Sequence, residues 1–217
     1  MKRIDKTIIH STTYRDWIEE FENNEQNHEK YKSSGEHYWD VVMSLYHCQN
    51  GLCAYTEKDL IGDLELINIE NWDDGKYQLL EPKPFHEGEL EHFDSTLKPT
   101  KGWLWDNLFM VSCTINRRKS TKSIDNILKP DSPNYVPDEL LDYDVNLHIF
   151  FANTNLDDET IKRVNDMIHV LGLNLVSGFR KSYINKRIER IKKGGDREPI
   201  EQYHTAYEMT LRNLNLQ

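Results

Sequence analysis

The feature that most constrains this chain is an ordered set of polar residues: a Glu-His pair at Glu91-His92, then Asn107, then Asn116 with Lys119 three residues later. His92 and Asn116 are 24 positions apart, and Asn107 precedes Asn116 by 9. A strand, a turn and the start of a helix fit into that spacing. A neutral imidazole can take a proton from water, and a carboxylate with an amide oxygen can hold a hard divalent cation. The set therefore has the chemistry of a one-metal phosphodiesterase.

Each member of this set also has an ordinary structural interpretation. A Glu-His pair on a strand is usually a surface pair, Asn107 after Asp106 is usually part of a turn, and Asn116 could simply cap a helix. Taken alone, each ordinary interpretation is the more frequent one. Taken together, in this order and at these spacings, the residues favour the phosphodiesterase.

The ordered set resembles the HNH nuclease family, which has the ββα-metal fold. Leu90-Glu91-His92-Phe93 resembles its first strand motif, Trp105-Asp106-Asn107-Leu108-Phe109 resembles its middle asparagine segment, and Asn116-Arg117-Arg118-Lys119 resembles the start of its motif helix. A closer resemblance is to the HNH subunit of Septu-type anti-phage systems and their retron-associated relatives, over about residues 53–187. Its further segments are Cys53-Ala54-Tyr55, Ile127-Leu128-Lys129-Pro130, Leu171-Gly172-Leu173-Asn174 and a later Arg180.

The resemblance implies a metal-dependent endonuclease that hydrolyses phosphodiester bonds of nucleic acid. His92 would be the general base, Glu91 and the catalytic Asn116 would bind the metal, and Asn107 would hydrogen-bond the backbone of the loop that carries His92. The metal would be Mg²⁺, with Mn²⁺ as the alternative, because Mg²⁺ keeps several waters and needs few protein ligands. The residues expected to bind nucleic acid are Arg117, Arg118, Lys119 and Lys122.

The chain departs from the family at the structural zinc site. Most relatives carry two Cys-x-x-Cys pairs, but here the first pair is Cys53 with Thr56 and the second falls at Ser112 and Ile115. Three of the four thiolates are missing, so we expect no structural zinc. Packing should replace it, and the cysteines should be small buried apolar residues. The packing candidates are Trp103, Trp105, Phe109 and Ile115, and the cysteines are Cys48, Cys53 and Cys113.

Charge and composition limit the partners. The net charge of −10 argues against tight nucleic-acid binding by the chain alone, because Lys and Arg supply most of such affinity. Residues 57–94 carry a charge of −9, whereas residues 116–130 carry +4 and residues 177–193 carry +6. Solvated faces are the more frequent explanation of such charge runs. The odd cysteine count, and the lack of an apolar leader or membrane span, predict a cytoplasmic protein without membrane contact.

The predicted fold is α+β, with a small hairpin-plus-helix HNH core embedded in a mainly helical shell. We expect an N-terminal helical segment over 1–52, the nuclease core over 53–130 with an acidic insertion at about 60–85, and a mainly helical extension over 131–217 packed on the core. Apolar periodicity predicts helices near 14–21 and 37–48. The predicted strands lie within 60–80, on either side of a turn at 71–75, and at 90–94, 108–112 and 145–151. The later predicted helices are 116–122, one that begins at Asn155, 175–193 and 199–214.

Two functions remain open from the sequence. In one, the chain is the nuclease effector of a bacterial anti-phage complex that works with an ATPase subunit. Its substrate is a nucleic acid, with DNA preferred over RNA as the prediction. In the other, it is a catalytically inactive interaction subunit that keeps the HNH scaffold. The missing zinc ligands favour the second, whereas the presence of Glu91, His92, Asn107 and Asn116 favours the first.

Overall fold

The structure is a computed structural model that describes residues 1–78 and 85–216. The chain divides into two compact units. The first unit contains residues Ile4–Cys53 and Leu60–Ser123, and the second contains Met1–Arg3, Ala54–Asp59 and Ile124–Gln217. The N-terminal helices thus belong to the same unit as the predicted nuclease residues, whereas the sequence predicts three consecutive segments.

Two amphipathic helices begin the first unit. Helix α1 (Thr12–Asn23) starts where the Ser11 side chain accepts a hydrogen bond from the Tyr14 amide, and it buries Tyr14 and Ile18 as its apolar period predicts. Helix α2 (Tyr38–Gln49) buries nearly a full circumference, including Val42, Met43 and Tyr46. It ends at Asn50, which is left-handed, and at Gly51, whose φ is +73°. Both helices agree with the sequence prediction.

The predicted strand at the start of residues 60–80 is wrong. Leu64–Ile67 and Ile69–Asn71 are short 3₁₀ turns, because the side chains of Asp63 and Asn68 each accept a hydrogen bond from the amide two residues later. Only the two-residue strands β1 (Trp72–Asp73) and β2 (Lys76–Tyr77) pair, around the turn at Asp74-Gly75. The rest of the predicted second strand, Leu79-Leu80, lies outside the described residues.

A longer hairpin and a short helix complete the first unit. Strands β3 (Gly88–His92) and β4 (Leu108–Ser112) pair in antiparallel register, as predicted within two residues, and the connection contains the single turn α3 (Lys98–Lys101). Gly88 is required because a Cβ there would lie 2.0 Å from the Tyr46 hydroxyl oxygen. Helix α4 (Cys113–Lys119) follows β4 directly and starts three residues earlier than predicted.

The second unit also combines a hairpin with helices. A single turn, α5 (Pro137–Leu140), leads into β5 (Leu141–Asp144), which pairs with β6 (Ile149–Ala152). The strand predicted over 145–151 therefore begins too early, because β6 starts at Ile149. The Asp144 carboxylate accepts hydrogen bonds from the amides of Asn146 and Leu147, and these bonds hold residues 145–148 in a turn.

Three helices follow the hairpin: α6 (Asp158–Val170), α7 (Ser177–Lys192) and α8 (His204–Asn213). The cap of α6 is Asp157, two residues after the predicted Asn155, because the Asp157 carboxylate accepts from the Thr160 amide. Gly172, with a φ of +67°, follows the end of α6. Arg180 is fully buried over the Phe150 ring, 4.6 Å from its centroid, so it does not belong to an exposed basic face of α7.

Helices and short antiparallel hairpins make the fold α+β, as predicted. The packing residues expected to replace the zinc site, Trp103, Trp105, Phe109 and Ile115, are all buried. The cysteine prediction is correct only for Cys53, since Cys48 and Cys113 are half-buried. Within residues 1–78 and 85–216, no helix is both long enough and apolar enough to cross a membrane.

Candidate active site

The β3–β4 hairpin, the 3₁₀ turn Trp105–Asn107 before β4 and helix α4 carry the four residues of the predicted motif, which are Glu91, His92, Asn107 and Asn116. Glu91 pairs with Phe109 and His92 pairs with Leu108 at the end of the hairpin where the connecting loop begins. Side chains alternate along a strand, so Glu89 and Glu91 leave one face of β3 and His92 leaves the other. Helix α4 packs against the face that carries the two carboxylates.

His92 is buried, with 5% of its surface exposed. Its Nε2 lies 2.8 Å from the carbonyl oxygen of Gly102, and its ring meets the Tyr31 ring at right angles with centroids 5.1 Å apart. A carbonyl can only accept, so Nε2 carries the hydrogen and Nδ1 carries the lone pair. Burial is the main reason that the pKa of His92 is lowered to about 4, and the ring is therefore neutral at pH 7.

Glu91 and Lys119 form a buried ion pair. Lys119 Nζ lies 2.6 Å from Glu91 Oε1, and it also donates a 2.9 Å hydrogen bond to the carbonyl oxygen of His92. The Lys119 side chain is fully buried and Glu91 is 2% exposed. Lys119, which the sequence predicts to contact nucleic acid, therefore presents no surface to such a ligand in this structure, because the strand and its carboxylate enclose the ammonium group.

Asn116 lies one helical turn before Lys119 and faces the same strand. Its Nδ2 donates a 2.9 Å hydrogen bond to Glu89 Oε2, so its amide oxygen is the atom left to contact a cation. Because α4 begins at Cys113, Asn116 lies in the middle of the helix and does not cap it. The predicted motif does not include Glu89. The Glu-x-Glu spacing of Glu89 and Glu91 is the signal for it, because this spacing places two carboxylates on one face of a strand.

Asn107 hydrogen-bonds the backbone that follows His92. Its Oδ1 accepts a 2.7 Å hydrogen bond from the Asp94 amide, and its Nδ2 donates a 3.0 Å bond to the Asp94 carbonyl oxygen. Its own carbonyl oxygen accepts from the Phe93 amide at 2.8 Å. Asn107 is 4% exposed and thus holds both residues that follow His92.

The other basic residues predicted to bind nucleic acid lie on or after α4. Arg117 is exposed and Arg118 is half-buried. Lys122 is exposed, and its Nζ donates a 2.7 Å hydrogen bond to the carbonyl oxygen of Arg118. These three positions keep surface that a polyanion can contact, whereas Lys119 does not.

The donor set around α4 consists of oxygens. In residues 1–78 and 85–216, no group of three or more His, Cys, Asp or Glu side chains is arranged to hold a metal ion. Glu89, Glu91 and Asn116 nevertheless carry carboxylate and amide oxygens on the α4 side of β3, and these are the ligand types that Mg²⁺ prefers. The Lys119 ammonium already neutralises one of these carboxylates.

The chain was also compared with known proteins. No family model matches it, and no curated protein matches it. The function of this site therefore has to be inferred from the residues and their geometry.

Proposed function

We propose that the chain is an HNH-type, metal-dependent endonuclease that hydrolyses phosphodiester bonds in nucleic acid. The observation that carries the proposal is the hydrogen bond from His92 Nε2 to the Gly102 carbonyl oxygen. It selects the tautomer whose Nδ1 can accept a proton, at the end of a strand whose other face carries carboxylates. A surface Glu-His pair would need neither this tautomer nor this burial.

In this proposal His92 removes a proton from the attacking water through Nδ1. The low pKa keeps the imidazole neutral over the whole physiological range, so the base is always in its accepting form. Asn107 acts as a positioning residue, because it holds the backbone immediately after His92 through both of its amide atoms. General-base assistance is worth roughly 10²–10⁴-fold in rate, which sets the effect expected from removing His92.

The carboxylates of Glu89 and Glu91 and the Asn116 amide oxygen would hold the divalent cation. When bound, such a cation stabilises the negative charge that grows on the phosphate and on the leaving oxygen. Lys119 supplies one positive charge to the same face when the cation is absent. Glu89 keeps the Asn116 amide oriented with its nitrogen toward the strand.

The decisive experiment incubates the purified protein with plasmid DNA, single-stranded DNA and tRNA in Mg²⁺ or Mn²⁺. We expect cleavage that falls about 10²–10⁴-fold in His92→Ala. His148→Ala is a matched control, because His148 is equally buried but belongs to the second unit. Cleavage that is unchanged in His92→Ala would show that another site or a contaminant is responsible.

A second candidate function is a non-catalytic subunit that keeps the HNH scaffold. Two observations favour it: Lys119 already pairs with the carboxylate expected to bind the metal, and a pKa of about 4 makes His92 a weak base near pH 7. Absence of cleavage in every condition, with and without a partner, would support this candidate over the nuclease.

We also propose that the nuclease is the effector of an anti-phage complex with an ATPase partner. The acidic net charge supports this, because a chain that binds nucleic acid weakly by itself stays inactive until a partner presents the substrate. The test is a salt titration of cleavage by the chain alone. Full activity that is insensitive to salt, without any partner, would remove this part of the proposal.

A further inference from the structure

A cleft of about 400 Å³ opens in the first unit, on the Tyr31 side of His92. Its walls combine aromatic rings with charged side chains at the rim, and none of these residues belongs to the predicted nuclease motif. The lining residues that matter here are Trp17, His37 and Trp103 for the rings, and Lys30, Lys32 and Glu36 for the rim.

Three aromatic rings in mutual contact form the aromatic side of the cleft, here called the slot. The Trp17 and His37 rings lie 4.7 Å apart at an angle of 32°, and the Trp103 ring meets Trp17 nearly edge-on at 5.9 Å. Trp103 is fixed by its backbone, since its amide donates to His28 Nδ1 and its carbonyl oxygen accepts from the Tyr14 hydroxyl. Trp17 and His37 are only half-buried, so part of their ring surface borders the cleft. Half-buried ring faces of this kind are stacking surfaces for another planar ring.

Tyr31 and Gly102 connect the slot to His92. The Tyr31 ring contacts the Trp103 ring and the His92 ring, with centroid separations of 5.0 Å and 5.1 Å. Gly102, whose carbonyl oxygen accepts from His92 Nε2, immediately precedes Trp103. The rings of Trp103 and Tyr31 would therefore lie between a planar group stacked in the slot and the imidazole that we propose as the general base.

The charges at the rim favour a phosphate-bearing ligand. Lys30, Lys32 and one carboxylate, Glu29, are exposed at the rim, and the Lys98 ammonium lies over the neighbouring Tyr31 ring at 5.0 Å. The second carboxylate of the lining, Glu36, is paired with Lys76 at 2.7 Å, so the lysines of this region outnumber its carboxylates. Rings that stack a base, combined with lysines that meet a phosphate, are the two elements of single-stranded nucleic-acid recognition.

We propose that this cleft binds an unpaired base, so that the ligand of the first unit is single-stranded or locally unpaired nucleic acid. A duplex keeps its base faces stacked inside the helix and cannot present them to a slot. The inference rests on the proposed function only where it makes this nucleic acid the substrate of His92. The binding itself is a separate claim that needs no cleavage.

Fluorescence anisotropy tests the binding, using a labelled single-stranded oligonucleotide and its duplex in EDTA to suppress cleavage. We expect the wild-type protein to prefer the single strand, and Trp17→Ala to weaken that binding about 5- to 150-fold, as the loss of one stacked base predicts. Trp17→Phe should retain most of the affinity because it keeps a flat ring. Trp72→Ala is the matched control, since Trp72 is also half-buried in the first unit but contacts His10 and Tyr77.

A charge variant covers the case in which Trp17→Ala fails to fold. Lys32→Gln changes only an exposed side chain, and it should make the dependence of log K on log salt less steep by about 0.7. Lys162→Gln, also exposed but in the second unit, should leave the slope unchanged. A wild-type preference for the duplex, or an unchanged affinity in Trp17→Ala together with an unchanged slope in Lys32→Gln, overturns the inference.

The same measurements separate this inference from the nuclease proposal. Single-strand binding that depends on Trp17, together with absence of cleavage in every condition with and without a partner, supports the cleft and refutes the nuclease. Cleavage that depends on His92, together with single-strand affinity unchanged in Trp17→Ala and a slope unchanged in Lys32→Gln, supports the nuclease and refutes the cleft.

Discussion

The Lys119 ammonium nitrogen lies 2.6 Å from Glu91 Oε1, and neither side chain is reached by solvent to a significant extent. The same ammonium group donates to the carbonyl oxygen of His92. The pair thus fastens the end of helix α4 to the end of strand β3, next to the candidate base. In a buried pair the cost of desolvation offsets much of the attraction, so the loss of one partner is far more damaging than the loss of both.

Replacement of Lys119 by methionine should destabilise the protein by about 3–5 kcal/mol, because it removes the buried ammonium group that neutralises the Glu91 carboxylate. The double variant Lys119→Met/Glu91→Leu should recover most of that loss. Urea denaturation of both variants measures the free energies of unfolding. Lys122→Met, at an exposed position, is the control and should stay within about 0.5 kcal/mol of wild type. A Lys119→Met variant as stable as this control would contradict the burial of the pair.

Glu89→Gln should weaken the binding of Mn²⁺, used as a spectroscopic substitute for Mg²⁺. The substitution removes a carboxylate charge from the face that carries Glu91 and Asn116 while keeping a group that can meet the Asn116 amide. Electron paramagnetic resonance of free Mn²⁺ gives the affinity. Glu87→Gln, which changes an exposed carboxylate just before β3, should leave it unchanged. Equal affinities in the two variants would mean that the cation does not bind on this face.

The contribution of His92 to stability should be lost as the pH falls. The pKa of His92 is about 4 in the folded protein and ordinarily 6.5, so the unfolded chain binds more protons between these values. The free energy of unfolding should therefore decrease from about pH 6.5 downward, by roughly 3 kcal/mol at the low end of the window. Unfolding of wild type and His92→Asn from pH 7 to pH 4 isolates this contribution. If the two proteins lose stability in parallel, the imidazole is not buried in its neutral form.

Asn107→Ala should cost about 2–4 kcal/mol, because it leaves both the amide and the carbonyl group of Asp94 without their partners. Asn116→Ala removes one hydrogen bond at a half-buried position and should cost about 1 kcal/mol. Chemical denaturation gives both values. The two variants should also differ in cleavage: rescue by raised Mg²⁺ is expected for Asn116→Ala and not for Asn107→Ala. Rescue of both would argue against separate positioning and metal-binding roles.

Much of the first unit follows from local sequence. The apolar period of α1 and α2 predicts both helices, because amphipathic spacing acts over a few residues. The β3–β4 hairpin is likewise found within two residues of its prediction. The error at residues 64–71 has a local cause as well, since side-chain caps from Asp63 and Asn68 outweigh the strand propensity of the apolar residues between them.

The sequence by itself determined the α+β class, the first two helices and the β3–β4 hairpin. Only the tertiary structure decided which atoms surround Glu91 and His92. The start of α4 at Cys113 turns Asn116 and Lys119 toward the same strand, and a ring more than 60 positions away, Tyr31, covers the imidazole. Periodicity specifies which face of an element is buried, but the partner of a buried charge is chosen by packing between segments distant in the chain, which no local pattern encodes.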